Sequence, residues 1–211
     1  MRNWPLSALT VTTPALELRH PSLADLDELA DRAAAGVHDA GAMPFTFPWT
    51  DGEPAERALS TLQYQFRKWG EWKPDSWSCG FVVVVDGQVV GTQELAAADF
   101  AVKREVNTGS WIGKEFQGRG IGTEMRAAVL HLAFDGLGAE YATTDAFADN
   151  PASLGVTRKL GYAEDGITMH NRKGAAAVLR RFRLDRAAWK PRTDITVQGL
   201  DACLPLFGVT P

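Results

Sequence analysis

No apolar run in this sequence approaches the roughly 18 residues that a membrane-spanning helix requires. The first twenty residues, MRNWPLSALTVTTPALELRH, also lack an apolar core of signal-peptide length. Both absences point to a cytoplasmic protein with no membrane partner. Cysteine is scarce, since Cys79 and Cys203 are the only two in 211 residues. They stand far apart and in no CxxC or Cys/His spacing, so neither a disulfide framework nor a metal site is expected. A net charge of −4 and a pI near 5.6 leave no general basic footprint for nucleic acid. Internal repeats and low-complexity tracts are missing. What is present, 45% hydrophobic and 23% charged residues, suits one domain over 1–211 with a sizeable core.

Along the chain, Ala15 to Arg19 alternates as a strand does. Leu23, Leu26 and Leu29 then recur at helical spacing behind a candidate N-cap, Ser22. Pro44, Pro48 and Pro54 forbid regular structure through the next stretch, which reads as an ordered loop with aromatic grip. Residues 55–69 carry Ala58, Leu62 and Phe66 as the core-facing stripe of an amphipathic helix. Trp69, Trp72 and Trp77 follow closely, and indoles so dense either cover a sheet or line a pocket mouth. FVVVVDGQVVGTQEL reads as an antiparallel hairpin turning at Asp86-Gly87. A loop near Asp99 to Arg104 leads to a further strand, REVNTGSWIG.

That strand runs into a glycine loop, EFQGRGIGTEM, and a helix with Met125, Ala128, Val129, Leu132 and Ala133 on one face, ended by Gly136 and Gly138. EYATTDAF reads as a buried strand. DNPASLGVTRKLGY reads as a second helix, with Asn150 at its N-cap, Pro151 at its first position and Gly161 just past its end. RFRLDRAAW supplies a last strand and a helical turn, and residues from about 191 to 211 form a tail without a period.

A strand, a glycine turn and a helix aim free backbone N–H groups and the positive end of a helix dipole at one point, which favours an anion such as phosphate. Spacing excludes two versions of such a loop. Gly113 is followed by Gly118-Arg119, without the lysine and hydroxyl of a Walker loop, and Thr123 stands where a dinucleotide fingerprint needs its third glycine. GxSxG is absent, and His20, His38, His131 and His170 sit in no nucleophile-elbow context, so a hydrolase triad is excluded as well.

The remaining pattern, Gln117-Gly118-Arg119-Gly120-Ile121-Gly122, resembles the pyrophosphate signature [RQ]xxGx[GA] of the GNAT superfamily of acetyl-CoA-dependent N-acetyltransferases. GSWIGKEFQGRGIGTEMRAAVLHLAF is similar to that family's central strand, loop and helix. DNPASLGVTRKLGY, about 30 residues on, is similar to its later NxxS…LGY motif. Together they resemble the branch of the RimJ and RimL ribosomal-protein acetyltransferases. The resemblance covers a core of about 15–190 and implies an α/β (α+β) GNAT fold. That fold is a mixed, mostly antiparallel sheet, splayed at its centre and flanked by helices, with the pantetheine arm of acetyl-CoA between the strands near Trp111 and Thr144.

On that reading, the amides of residues Gly118 to Thr123 and the guanidinium of Arg119 meet the pyrophosphate. Backbone groups of Trp111 and Ile112 pair with the arm as another strand would, and the N–H of Ile112 or its neighbour polarises the acyl carbonyl. Asn150 caps its helix, binds the arm through its amide, or does both. Ser153 is either an ordinary residue of the first turn or the donor to the departing sulfur. Arg158 and Lys159 form a solvated face or reach a CoA phosphate. A lysine-like amine with a pKa near ~10.4 is neutral about once in two thousand molecules at pH 7, whereas an α-amine near ~8 needs less help. A base is therefore expected, yet Asn107 stands where related enzymes commonly carry an acid. Glu94, Glu105 and Asp145 are the substitutes, with Glu94 preferred. The acceptor is a primary amine of a small molecule or a peptide N-terminus, and residues 43–77 are its expected wall. The alternative is a catalytically silent acyl-CoA-binding domain. The tail after Pro191 is the candidate surface for a homodimer.

Overall fold

A computed structural model describes residues 1–209 of the chain. In chain order the strands and helices are β1 (Thr10–Thr12), β2 (Glu17–Arg19), α1 (Leu23–Ala35), α2 (Pro54–Gly70), β3 (Ser76–Val85), β4 (Gln88–Ala98), α3 (Phe100–Lys103), β5 (Glu105–Ile112), α4 (Ile121–His131), β6 (Tyr141–Phe147), α5 (Pro151–Lys159), β7 (Ala163–Arg172), β8 (Ala175–Asp185) and β9 (Thr196–Gln198). Among the described residues the strands form one nine-stranded sheet in the order β7-β8-β6-β5-β4-β3-β2-β1-β9. All neighbours are antiparallel except β5 and β6.

Local chemistry explains most of these elements. At the head of α1, Ser22 Oγ accepts from Asp25 N at 3.1 Å while Ser22 N donates to the Asp25 carboxylate at 2.9 Å, a reciprocal capping box. The β3–β4 hairpin turns with Asp86 at φ 49° and Gly87 at φ 78°, the doubly positive geometry of a primed turn. α1 and α2 cover one face of the sheet over a small cluster of Leu26, Leu29, Val82, Val84 and Val89. α4 lies on the other face over the main core, which includes Met125, Ala128, Val129 and Phe134.

The expected core-facing stripe of α2 needs correction. Phe66 is 46% exposed and Ala58 and Leu62 are only half-buried, whereas Thr61 and Gln65 are buried. Gln65 lies over Gly80 of β3, where a Cβ would collide with its amide, so a polar residue takes the inner position. The loop expected near Asp99 to Arg104 contains the single turn α3.

Neither end of the chain is an appendage. Leu6, Leu9 and Val11 are fully buried near the N-terminus. β9 extends the sheet from β1, and a 3-10 segment, Asp201–Phe207, buries Cys203 and Phe207. The indoles of Trp72 and Trp77 donate to the carbonyls of Leu206 at 2.9 Å and Phe207 at 3.2 Å. The tail therefore packs into its own chain, and its inward apolar side chains are not a surface for a second copy. Thr210 and Pro211, the last residues of the expected tail, lie outside the described residues.

Candidate active site

β5 and β6 are paired only at Glu105↔Tyr141, Val106↔Ala142 and Asn107↔Thr143. Beyond that point β5 continues to Ile112 bonded to β4 alone, and β6 continues to Phe147 bonded to β8 alone. The two strands part like the arms of a V. Side chains close its base: Asn107 Nδ2 donates to Thr143 Oγ1 at 3.2 Å, and Thr144 Oγ1 donates to the Thr108 carbonyl at 3.1 Å.

A cleft of about 730 Å³ fills the opening. Thr108, Ser110, Trp111 and Ile112 line it from β5, Thr144 and Asp145 from β6, and Asn150, Ser153 and Val156 from α5. Gln117 and Gly118 stand at its mouth, and Val37 to Thr46 bring in the loop before α2.

Backbone alternation decides which groups face the opening. The Thr108 carbonyl points across to Thr144, and the Ile112 carbonyl accepts from Gln117 Nε2 at 2.9 Å. Ser110, between them, shares that edge. The Trp111 carbonyl faces β4 instead, so closely that a Cβ on Gly91 would run into it. Of the two backbone positions expected to meet the arm, Ile112 is on the open edge and Trp111 is not; Ser110 and Thr108 share that edge with Ile112. The Trp111 indole lines the cleft and lies 5.5 Å from Trp49, which in turn lies 5.2 Å from Phe45.

At the mouth, Gly118 has φ 75° and Gly120, the N-cap of α4, has φ 83°, left-handed conformations that suit glycine. The amides of Gly120, Ile121 and Gly122 begin the helix and have no intrahelical acceptor. Thr123 N is already committed to the Gly120 carbonyl at 3.0 Å, leaving that residue only its hydroxyl. Gln117 is a brace: its amide nitrogen donates to Val37 O at 2.8 Å as well as to Ile112 O. Arg119 folds back to donate to the Glu115 carbonyl at 2.7 Å, with its guanidinium over the Phe116 ring, so an anion would have to draw it away.

On α5, Asn150 Oδ1 accepts from Ser153 N at 3.1 Å, so the capping role is filled by one amide atom while Nδ2 remains for another partner. Arg158 and Lys159 are exposed. Glu94 lies outside the cleft lining, half-buried on β4, where it accepts from Tyr64 Oη at 2.5 Å. Burial, and then the Glu94 charge, push the Tyr64 phenol well above its ordinary pKa. A second depression of about 330 Å³, lined by Lys68, Glu71, Trp72, Ala96 and Ala98, shares Asn107 with the cleft. Glu94 is on the same face of β4 as Ala96 and Ala98. Asp145 lines the main cleft, and partial burial lifts its pKa although Arg181 opposes the shift.

Several cleft residues had no signal in the sequence. His38 is tied to Thr50 Oγ1 at 2.7 Å, and Arg172 from β7 bonds both oxygens of Asp149, at 2.9 and 2.6 Å. Both depend on long-range packing that no local pattern announces.

A sheet opened between two parallel strands, with glycines and a helix N-terminus at the mouth, is the architecture of an acetyltransferase of the class that the family comparison identifies. The chain belongs to the GNAT acetyltransferase family: the model of the acetyltransferase (GNAT) domain matches residues 15–163, more than half of its length. The Bacillus subtilis (strain 168) protein YdaF, which carries the name of a ribosomal N-acetyltransferase, is 32% identical over 84 residues, 40% of this chain and 45% of that protein. The match thus spans less than half the length of that relative. Among solved structures, Mycobacterium smegmatis RimJ in complex with CoA-disulfide has a TM-score of 0.70 at 20% identity, over 86% of this chain and 88% of that one. RimL, a ribosomal L7/L12 α-N-protein acetyltransferase in complex with coenzyme A, has a TM-score of 0.64 at 16% identity, over 82% and 95%. At such identities the likeness is one of fold. No described helix is long and apolar enough to cross a membrane.

Proposed function

We propose that this chain is an acetyl-CoA-dependent N-acetyltransferase acting by direct attack in a ternary complex, with a primary amine, foremost a peptide or protein N-terminus, as acceptor. The observation that carries this reading is the parting of β5 and β6 beyond Asn107 and Thr143, with the glycine-lined N-terminus of α4 at the mouth. Acetyl-CoA, when bound, supplies an activated acyl group and a thiol leaving group. The amides at Gly118 to Gly122 and the α4 dipole suit its pyrophosphate. The edge groups of Ser110 and Ile112 suit an extended arm that adds to β5 as a strand would, and the Asn150 Nδ2 group stands at the opposite wall.

The acceptor amine enters through the second depression and reaches the fork at Asn107. Glu94, held by Tyr64, takes a proton from the amine as its nitrogen bonds the acyl carbon. The carbon–sulfur bond breaks as the Ser153 hydroxyl hydrogen-bonds the departing sulfur, and the thiolate takes up a proton from solvent while Glu94 returns the one it took. Trp49, beside the cleft, and Trp72, in the depression, form the apolar walls. The names of RimL, an α-N-protein acetyltransferase, and of the ribosomal N-acetyltransferase YdaF favour a protein N-terminus over a small molecule.

Release of free thiol from acetyl-CoA with an unblocked peptide, compared with the same peptide N-terminally blocked, tests the reading. Release that needs the free amine is expected, and Glu94→Gln should lower kcat by ~10²- to 10⁴-fold while CoA affinity holds. A loss confined to Asp145→Asn would move the base to β6. A second reading, CoA binding without turnover, is favoured by one observation: Asn107 is engaged in bracing the fork and is no base. Tight CoA binding with no thiol release from any amine would select it.

A further inference from the structure

Arg126 sits in the second turn of α4, only 5% exposed, and yet on the lining of the cleft. Its Nη1 donates to Thr157 Oγ1 at 3.2 Å and its Nη2 to Ser110 Oγ at 3.4 Å. Its Nε–H has no acceptor, and among the described residues no carboxylate pairs with it. Close by, the hydroxyl of Tyr162 is buried beside Arg126 and next to Thr108.

Burying a guanidinium without a counter-charge is expensive, and an apolar side chain of similar length would stabilise the same helix face. The fold itself therefore gives no reason for this arginine. Its surroundings do. The unmet Nε–H of Arg126 lies under the stretch of β5 that has lost its neighbouring strand, at the level of Ser110. That level is midway between Ile112 at the mouth and Thr108 at the fork. Six residues of helix separate Arg126 from Gly120, about 9 Å along the axis, too far to share a phosphate held at the N-terminus.

Resting on the acyl-CoA reading above, we infer that Arg126, with Tyr162 beside it, is a cofactor-binding residue that donates to an amide carbonyl oxygen in the middle of the pantetheine arm. The buried cation is then a cost the apo protein carries in order to fix the arm's depth in the cleft. Residues at the mouth hold the nucleotide end, and Arg126 holds the part that must lie straight for the thioester to reach the fork.

Calorimetric titration of Arg126→Met with two ligands tests this: coenzyme A, and 3′-phosphoadenosine 5′-diphosphate, which lacks the arm. The expected result is a ~10- to 100-fold loss of affinity for coenzyme A, unchanged affinity for the truncated nucleotide, and an apo melting temperature equal to or above that of the parent. Equal losses for both ligands with a lowered melting temperature would mean a structural arginine and overturn the inference, as would unaltered affinity for coenzyme A. If Arg126→Met does not fold, Tyr162→Phe carries the test, since it removes one oxygen and no packing volume. A selective loss for coenzyme A of ~2- to 10-fold supports the proposal, and no loss overturns it. A parent protein that binds neither ligand would instead sink the acyl-CoA reading itself.

Discussion

Protonating His20 breaks a contact that the fold has built around its neutral ring. Its Nε2 accepts from Trp4 Nε1 at 3.0 Å, and the ring stacks on Trp69 at 4.8 Å. Burial above all, and then the charge of the N-terminus, lower its pKa to about 4. Because the folded pKa lies below the unfolded value near 6.5, the unfolded chain binds the proton first as pH falls. The contribution is complete above pH 6.5 and lost progressively down to about 4, and it is on the order of 3 kcal/mol. Melting temperature should therefore fall between pH 6.5 and 4, and in His20→Gln that part of the slope should flatten. An unchanged slope would mean that other groups set the acid limit. At the same scale the cysteines are inert: burial raises the thiol pKa of Cys79, and raises that of Cys203 to about 11.

Among the elements, the ones with strong local chemistry were legible in the sequence. Asp86-Gly87 announced the hairpin, Ser22 and Asn150 announced two helix starts, and the glycines of residues 118–122 announced the turn into α4. The elements that were not legible lack a local signal. β1 and β9 are three residues each, too short to show a period, and they exist because they pair with each other. β7 is an edge strand with almost every residue exposed, interrupted by a bulge between Glu164 and Ile167 where Gly166 has φ 93°, so no alternation survives to be read. Of Trp111 and Ile112 only the latter is on the open edge of β5, because the tight approach of Gly91 to Trp111 is a property of two strands together. That approach gives its own test: Gly91→Ala should destabilise by about 1–3 kcal/mol in urea unfolding, and a neutral result would contradict the register drawn between β4 and β5.

Over the whole molecule, the two ends of the chain complete one sheet and one core with the stretch of about 15–190 over which the family resemblance runs. Ile195, Cys203 and Phe207 are buried against the same cluster as Leu6, Leu9 and Trp77. Removing residues 191–211 should therefore abolish cooperative thermal unfolding and leave no intact cofactor cleft. A shortened chain that melts as the parent does would show the tail to be dispensable. The site was legible where it rests on contiguous motifs and illegible where Arg126, His38 and Arg172 converge on the cleft from distant parts of the chain. The most direct measurement is calorimetric titration of the full chain with acetyl-CoA, run beside Gly120→Asp. That carboxylate would stand at the N-cap of α4, where we propose the pyrophosphate binds, and the residue would have to adopt φ 83°. Micromolar binding by the parent and its loss in the variant is the expected result. No binding by the parent, or equal binding by both, would contradict the claim that the parted strands and the α4 loop form an acyl-CoA site.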